Sequence, residues 1–203
     1  MAITNGYATL AELRAWVGIT DAGDTALDGI IERAIEAASR AIDHEAGRIF
    51  YSVSSEARTY VADDPYDLRV HDFTTATEVA TDEDDDGAFE TVWLAADWQA
   101  WPGVLVNGYP STRIEAIDTK VFPVRRTRRA VKVTATWGWA AVPPGINHAC
   151  KIYAARLFKR KDSVSGVLGL DGLGATVRLS VGDSDVLSLV APYRRMETSG
   201  GPG

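Results

Sequence analysis

The residues that most often build redox and metal sites are scarce in this sequence, which has one cysteine and three histidines among 203 residues. The single cysteine, Cys150, excludes an intramolecular disulfide and leaves no second thiol for a zinc knuckle. His44, His71 and His148 are scattered without ligand spacing, so we expect them to have surface or core roles. Cys150 follows His148 by two positions, which places the side chains on different helix faces. We therefore predict a buried, small apolar Cys150 and no Cys–His nucleophile.

Long apolar runs and phosphate-binding glycine motifs are missing as well. No apolar run approaches the ~18 residues that span a bilayer, and the N-terminus has neither a basic segment nor a continuous apolar one. We expect no membrane contact and a chain that is cytosolic when made. The glycines match neither GxGxxG at the start of a helix nor GxxxxGK[ST]. The sequence therefore predicts no catalytic residue, no cofactor and no metal requirement, and we expect that the protein is not an enzyme.

Basic residues are outnumbered, since 21 Lys and Arg face 28 Asp and Glu for a net charge of −7. This balance argues against general binding to nucleic acid, which depends on Lys and Arg displacing counterions from phosphates. The charge is also uneven. Eleven acids and one base lie between Val61 and Glu90, whereas six bases and no acid lie between Lys120 and Lys132. Such segregation suits head-to-tail contact between copies, although a solvated polar surface explains it as well.

Four arginines form the one candidate phosphate patch, and they are Arg125, Arg126, Arg128 and Arg129. Three interpretations remain open for them: a solvated loop, contact with an acidic neighbouring subunit, and contact with a DNA backbone.

Helical signals mark the N-terminal end of the chain. Thr9 and Glu12 form a capping box before a short apolar stripe. Thr25 and Asp28 form a second capping box before a longer, alanine-rich stripe. Glycines after each stripe, Gly18 and Gly47, are placed to end both helices.

Helical signals return near the C-terminal end. Pro143-Pro144 fits the first turn of a helix, because the N–H that proline lacks would be unpaired there. A strand over Thr176–Val181 and a short helix from about Asp183 follow, and Pro192 stops that helix.

Between these ends the pattern is that of short strands separated by turn residues. The predicted strands are Ala57–Ala62, Leu68–Phe73, Thr77–Thr81, Phe89–Leu94, Trp98–Trp101, Ile114–Ile117 and Val131–Trp137. The fold class predicted from this order is α+β, a helical bundle built from N- and C-terminal helices with an inserted β-rich module. The predicted parts are the N-terminal helices (1–51), the β-rich insertion (52–140), the C-terminal helices with a glycine-rich loop (141–195) and a disordered tail (196–203).

The acidic run 82–87 matches positions 1, 3, 5 and 6 of a calcium loop through Asp82, Asp84, Asp86 and Gly87. The match fails at position 12, where Trp93 replaces the bidentate Glu, and the flanks read as strands instead of helices. We expect an acidic β-hairpin tip, with a weak cation site as the alternative.

Two stretches resemble the head-to-tail connector proteins of tailed bacteriophages. The first runs from Val131 through Trp137-Gly138-Trp139 and Pro143-Pro144 to Ser163, and the second is the ending Asp185–Arg195. The two N-terminal helices occur in the same order in that family. The middle of the chain, about residues 52–130, is where those proteins vary most.

The resemblance implies a ring under the twelvefold portal that continues the DNA channel and offers its far side to a tail stopper or tail-completion protein. Double-stranded DNA would pass through without sequence-specific binding. The implied place is the neck of the virion, after assembly in the host cytoplasm, and catalysis is not implied. Another neck or tail-completion protein is the first alternative, and a metal-binding enzyme is the second.

The C-terminal third supplies the residues assigned to portal or subunit contact. We expect Ser163–Ala175 to be a mobile loop that orders on docking, because its glycines are costly to fix in isolation. The assigned residues are Gly166, Gly169, Gly172, Gly174, Val186, Leu187, Leu189, Val190, Tyr193, Arg194 and Arg195. The alternative is that the apolar face of this ending covers the protein's own helices.

Overall fold

The computed structural model describes residues 3–21, 23–103, 108–124, 128–160, 167–169, 176–178 and 184–195. The helices described are α1 (Leu10–Val17), α2 (Asp28–Ala46), α3 (Pro144–Lys159), α4 (Ser184–Val190) and a 3₁₀ turn (Ala191–Tyr193). The strands described are β1 (Ser52–Tyr60), β2 (Asp67–Thr81), β3 (Thr91–Val92), β4 (Trp98–Trp101), β5 (Ser111–Ala116), β6 (Val131–Gly138), β7 (Val167–Gly169) and β8 (Thr176–Arg178).

The chain divides into two compact units. It passes from a helical unit into a sheet unit between Gly47 and Arg48, and it returns between Ala141 and Val142. In the described part of the chain, none of the helices combines the length and apolarity needed to cross a membrane.

Helix α1 begins and ends where local signals place its boundaries. The hydroxyl of Thr9 accepts the N–H of Glu12, and the Glu12 carboxylate accepts the N–H of Thr9, so the predicted capping box is confirmed. Gly18 ends the helix with φ 85°, a left-handed conformation that glycine adopts without steric cost. Leu13 is fully buried and anchors the helix to its unit.

The second capping box is wrong. Helix α2 begins at Asp28, its N-cap is Leu27, and no side chain caps it. The Asp28 carboxylate instead accepts a hydrogen bond from Arg14, so it does not reach back to Thr25. Gly47 ends the helix with φ 65°, as predicted.

Helix α3 begins at Pro144, in agreement with the proline signal, and packs on α2. Small side chains lie in this contact. Cys150 and Ala154 of α3 and Ala38 of α2 are all fully buried. The Cys150 Sγ lies 3.5 Å from the Ser39 Oγ, so the two helices approach closely.

The sheet unit contains a six-stranded antiparallel sheet with the order β1-β6-β2-β5-β4 and with β3 paired to β2. Strand β2 is 15 residues long, and it pairs with β5 along its first half and with β6 along its second half. In β6 the side chains of Val131, Val133, Ala135 and Trp137 are buried and the intervening ones are half-buried, so the predicted alternation is confirmed.

The prediction of a helical bundle carrying an inserted β-rich module is wrong. The described chain has four α-helices and a six-stranded antiparallel sheet with its own apolar core. The two short strands predicted at Leu68–Phe73 and Thr77–Thr81 are parts of the single strand β2. Register shifts within β2 bend this strand, so the single strand joins both halves of the sheet. The polar residues between the two apolar parts of β2 do not interrupt it.

Gly138 is a position where we expect substitution to be severe. Its φ is +84°, and an added Cβ would lie 1.9 Å from the carbonyl oxygen of Tyr51. We expect Gly138→Ala to lower the free energy of unfolding by about 3 kcal/mol or more, from backbone strain and overpacking. Gly29→Ala is the matched control, because Gly29 lies in α2 with nothing within 4 Å. We expect it to be neutral or to stabilise by up to about 1 kcal/mol. Denaturant unfolding measures the free energy of unfolding of both variants. Equal effects of the two substitutions would contradict the prediction that Gly138 cannot accommodate a side chain.

Candidate interaction surfaces

The C-terminal segment lies in the helical unit and is partly built into its core. Val186 and Val190 of α4 are 7% and 0% exposed. Leu187 and Leu189 are half-buried, as is Tyr193 in the 3₁₀ turn. Among the predicted apolar contact residues, those that keep part of their surface exposed are therefore Leu187, Leu189 and Tyr193.

Polar contacts fasten this segment to α2 and α3. The Arg195 N–H donates to the carbonyl oxygen of Ala46 at 2.8 Å, and the Arg194 guanidinium pairs with Glu45. At the start of α4, Asp185 lies 3.4 Å from Arg156 of α3. The backbone around Arg194 and Arg195 is thus held at the C-terminal end of α2, while the Arg194 side chain stays exposed.

The glycine-rich segment is only partly described. Gly166, Gly172 and Gly174 lie outside the described residues. Gly169 lies in β7, which pairs antiparallel with β8 through Gly169 and Thr176. The prediction of a loop from Ser163 to Ala175 is therefore wrong for residues 167–169.

The arginine patch contacts the acidic hairpin of its own chain. Arg125 and Arg126 lie outside the described residues. Arg128 donates from Nη1 to the carbonyl oxygen of Asp86 at 2.7 Å, and Arg129 is exposed. One arginine of the basic run, Arg128, therefore contacts the acidic run of the same chain.

Two lysines of the basic run also contact acids of the sheet unit. Lys132 lies 3.1 Å from Glu78 of the acidic run, and Lys120 lies 3.6 Å from Asp97, which follows that run. The acidic and basic runs that are separate in the sequence thus meet inside one sheet unit, which weakens the argument that they join different copies.

The acidic run forms the tip of the β2–β3 hairpin, so this prediction is confirmed. Asp82 is fully buried, and its two carboxylate oxygens accept the N–H groups of Asp85 and Gly87, each at 2.8 Å. Burial alone would raise the pKa of Asp82, but these backbone N–H donors outweigh it and hold the pKa below its usual value of 3.8. Asp82 therefore fixes the fold of the tip.

Four carboxylates converge at this tip. Ligand atoms of Asp82, Asp84, Asp86 and Glu90 all lie within 4.8 Å of one another. The sequence comparison with a calcium loop missed Glu90. Trp93, at position 12 of that comparison, is buried and stacks on Phe122 with ring centroids 4.7 Å apart. The absence of a metal requirement stays a prediction.

Cys150 is fully buried, as predicted, and burial raises the pKa of its thiol. The ring of His148 is exposed and packs edge-on against the ring of Trp16, with the ring centroids 5.3 Å apart. His71 contacts the Tyr60 hydroxyl through Nδ1 at 2.9 Å.

A buried polar cluster in the sheet unit was not predicted. Arg48 Nη1 lies 3.5 Å from the Oδ2 of Asp72, and their side chains are 10% and 3% exposed. Trp139 Nε1 donates to the same oxygen at 3.3 Å, and the Arg48 guanidinium lies 5.9 Å from the Trp139 ring centroid. The three residues are far apart in the sequence, so no spacing could have indicated the cluster.

Asp82→Asn is expected to lower the unfolding temperature, because the amide cannot accept both backbone N–H groups with two oxygens. Since the folded pKa lies below 3.8, ionised Asp82 stabilises the protein above that pH. The stabilisation is lost as the pH falls through the folded pKa. The difference between wild type and variant should therefore shrink in acid. Thermal unfolding at several pH values measures it, with Asp63→Asn, an exposed carboxylate of the same unit, as the control. A difference independent of pH would contradict this role.

No protein-family model matches the chain, and no curated protein matches it significantly. Solved structures do match. A chain in the neck of an empty gene transfer agent (GTA) particle, computed with C6 symmetry, is 21% identical with a TM-score of 0.58. The match covers 99% of this chain and 96% of that chain.

Two further structures match over the same shares of each chain. A chain in the virion of the native GTA particle is 22% identical with a TM-score of 0.55. A chain in the neck of the native GTA particle, computed with C12 symmetry, is 23% identical with a TM-score of 0.52. The protein thus shares its fold, over nearly its whole length, with chains of these phage-like particles.

Proposed function

We propose that this chain is a structural neck protein of a tailed bacteriophage or phage-like particle. More narrowly, it is the head-to-tail connector, or adaptor, that forms a ring between the portal and the tail stopper. The observation that carries the proposal is a fold shared across 99% of the chain with a chain of a GTA neck. The sequence resemblance to phage connector proteins points the same way. The role is structural and not enzymatic.

The ring is twelvefold in this proposal. The neighbouring necks were computed with C6 and C12 symmetry, which supports a repeated arrangement around an axis. Contacts of this kind are heterologous, because each copy presents one surface to the next and a different surface to the previous copy.

The charge of the chain suits a DNA channel that does not retain DNA. The net charge of the chain is −7. A channel wall with an acidic balance repels or ignores phosphates, so DNA passes without specific binding. In this proposal the protein acts in the neck of the virion. It lies in the host cytoplasm while the particle is assembled.

Electron microscopy of the purified chain, alone and mixed with the portal protein of the same particle, tests the proposal. We expect a monomer or loose oligomer alone and an added twelvefold ring on the portal. A tight closed dimer that ignores the portal would exclude the adaptor role. A ring that forms instead on tail components would favour a tail-completion protein.

The finer assignment is that the open side of α4 and the turn after it carry portal contact. Leu187 and Leu189 are half-buried here, with Tyr193, Arg194 and Arg195 following them. An apolar centre with aromatic and arginine neighbours is typical of interfaces. The glycine-rich segment before α4 belongs to the same proposed contact.

The double variant Leu187→Ser/Leu189→Ser is expected to weaken portal binding by at least about tenfold with little change in unfolding temperature. Val190→Ser is the matched control, because Val190 is 0% exposed and its loss should lower the unfolding temperature. Pull-down on immobilised portal and thermal unfolding supply the two readouts. If the double variant bound the portal as tightly as the wild type, the apolar face of this segment would cover the protein's own helices and would not contact the portal.

A further inference from the structure

An irregular segment precedes α1. Residues 3–8 form neither helix nor strand, and we call them the N-terminal strap. Tyr7 and Ala8 are buried, with 2% and 5% of their surfaces exposed, whereas the four residues before them are half-buried or exposed. The fully buried part of the strap is therefore its C-terminal end, next to the helix.

Tyr7 contacts both long helices of the helical unit. Its N–H donates to the Ser39 Oγ of α2 at 3.0 Å, and its carbonyl oxygen accepts the side-chain amide of Asn147 in α3 at 2.8 Å. Its hydroxyl donates to the carboxylate of Asp43 in α2. The strap therefore lies across the seam between α2 and α3, and Tyr7 fastens it to both helices.

The rest of the strap contacts α2 near solvent. The Thr4 N–H donates to the Glu36 carboxylate, and the Asn5 carbonyl oxygen accepts Nη2 of Arg40 at 2.9 Å. Both hydrogen bonds are exposed, where water competes for the same groups and the net contribution is small. Asn5 also has a φ of 58°, a left-handed conformation that is costly for residues other than glycine. The hold of the strap thus depends mainly on Tyr7.

The thiol of Cys150 lies beneath the strap. Its Sγ is 3.5 Å from the Ser39 Oγ, the same hydroxyl that accepts the Tyr7 N–H. The backbone N–H groups of Tyr7 and Ala8 also face the thiol, which is 0% exposed. A reagent therefore reaches Cys150 only when the strap moves away or when the helices separate.

We propose that the N-terminal strap is a cover that opens while the helices stay folded, and that Tyr7 is the clasp that holds it shut. Segments with few buried contacts open at a lower free energy than the core around them. The strap is able to detach at Thr9, because Leu13 anchors α1 independently and the capping box of α1 lies within residues 9–12. This inference concerns the helical unit alone and does not depend on the proposed neck role.

Labelling of Cys150, the single thiol of the chain, by an aromatic disulfide reagent in native buffer measures opening. We expect the labelling rate of the wild type to change little in low urea, because opening of a short strap exposes little surface. Tyr7→Phe should label at least about tenfold faster, because it loses a hydrogen bond to a charged acceptor.

A second variant acts on the clasp from the other helix. Asn147→Ala removes the amide that donates to the Tyr7 carbonyl oxygen, so it should also label faster than wild type. It keeps the experiment decisive if Tyr7→Phe does not fold, and circular dichroism checks that each variant keeps its helices.

Two controls separate local opening from loss of stability. Tyr66→Phe removes an exposed tyrosine hydroxyl from the sheet unit and should label like wild type. Val190→Ser, a buried change in the helical unit, should lower the unfolding temperature but leave the labelling rate in native buffer unchanged.

Labelling through global unfolding would contradict the proposal. In that case the wild-type rate would rise with urea in step with unfolding, and Val190→Ser would label faster in proportion to its loss of stability. Labelling of Tyr7→Phe and Asn147→Ala at the wild-type rate would contradict the role of Tyr7 as the clasp.

Discussion

The buried cluster of Arg48, Asp72 and Trp139 is the constraint on which the architecture of the sheet unit depends. Arg48 is the first residue of that unit, and Trp139 precedes by three residues the point where the chain returns to the helices. Asp72 precedes Phe73, the residue of β2 that pairs with both Ser111 of β5 and Trp137 of β6. A buried carboxylate is tolerated only where cations and donors meet it. Burial of this cluster therefore fixes three positions relative to one another: where the chain enters the sheet unit, where it leaves, and where β2 bends.

Folding redistributes the charge of this chain in a way that its sequence conceals. The basic run 120–132 contacts acids of its own unit through Lys120, Arg128 and Lys132. Acids that stay exposed include Asp63, Asp64 and Asp118 of the sheet unit, whereas α3 of the helical unit contains no acid. Since like charges oppose and complementary ones steer association, exposed charges of this kind are the ones that bear on contact with a partner.

Features that depend on neighbouring residues were predictable from the sequence. The Thr9–Glu12 capping box, the proline start of α3 and the alternation of β6 are local, and each is confirmed. The second capping box failed because Arg14, fourteen residues earlier in the chain, binds the Asp28 carboxylate. The fold class failed because the continuity of β2 depends on pairing with two strands distant in sequence. Of the predicted contact residues, Val186 and Val190 are buried. Periodicity alone cannot distinguish an apolar helix face that packs in the protein's own core from one that stays exposed.

The ring proposed above needs only a weak contact between copies. If a portal binds copies side by side, the effective concentration of each neighbour rises to the order of millimolar. A contact too weak to form in free solution would then close the ring only where the portal supplies the template. A stronger contact would let rings or open filaments form away from the particle, because a heterologous interface does not by itself fix the number of copies.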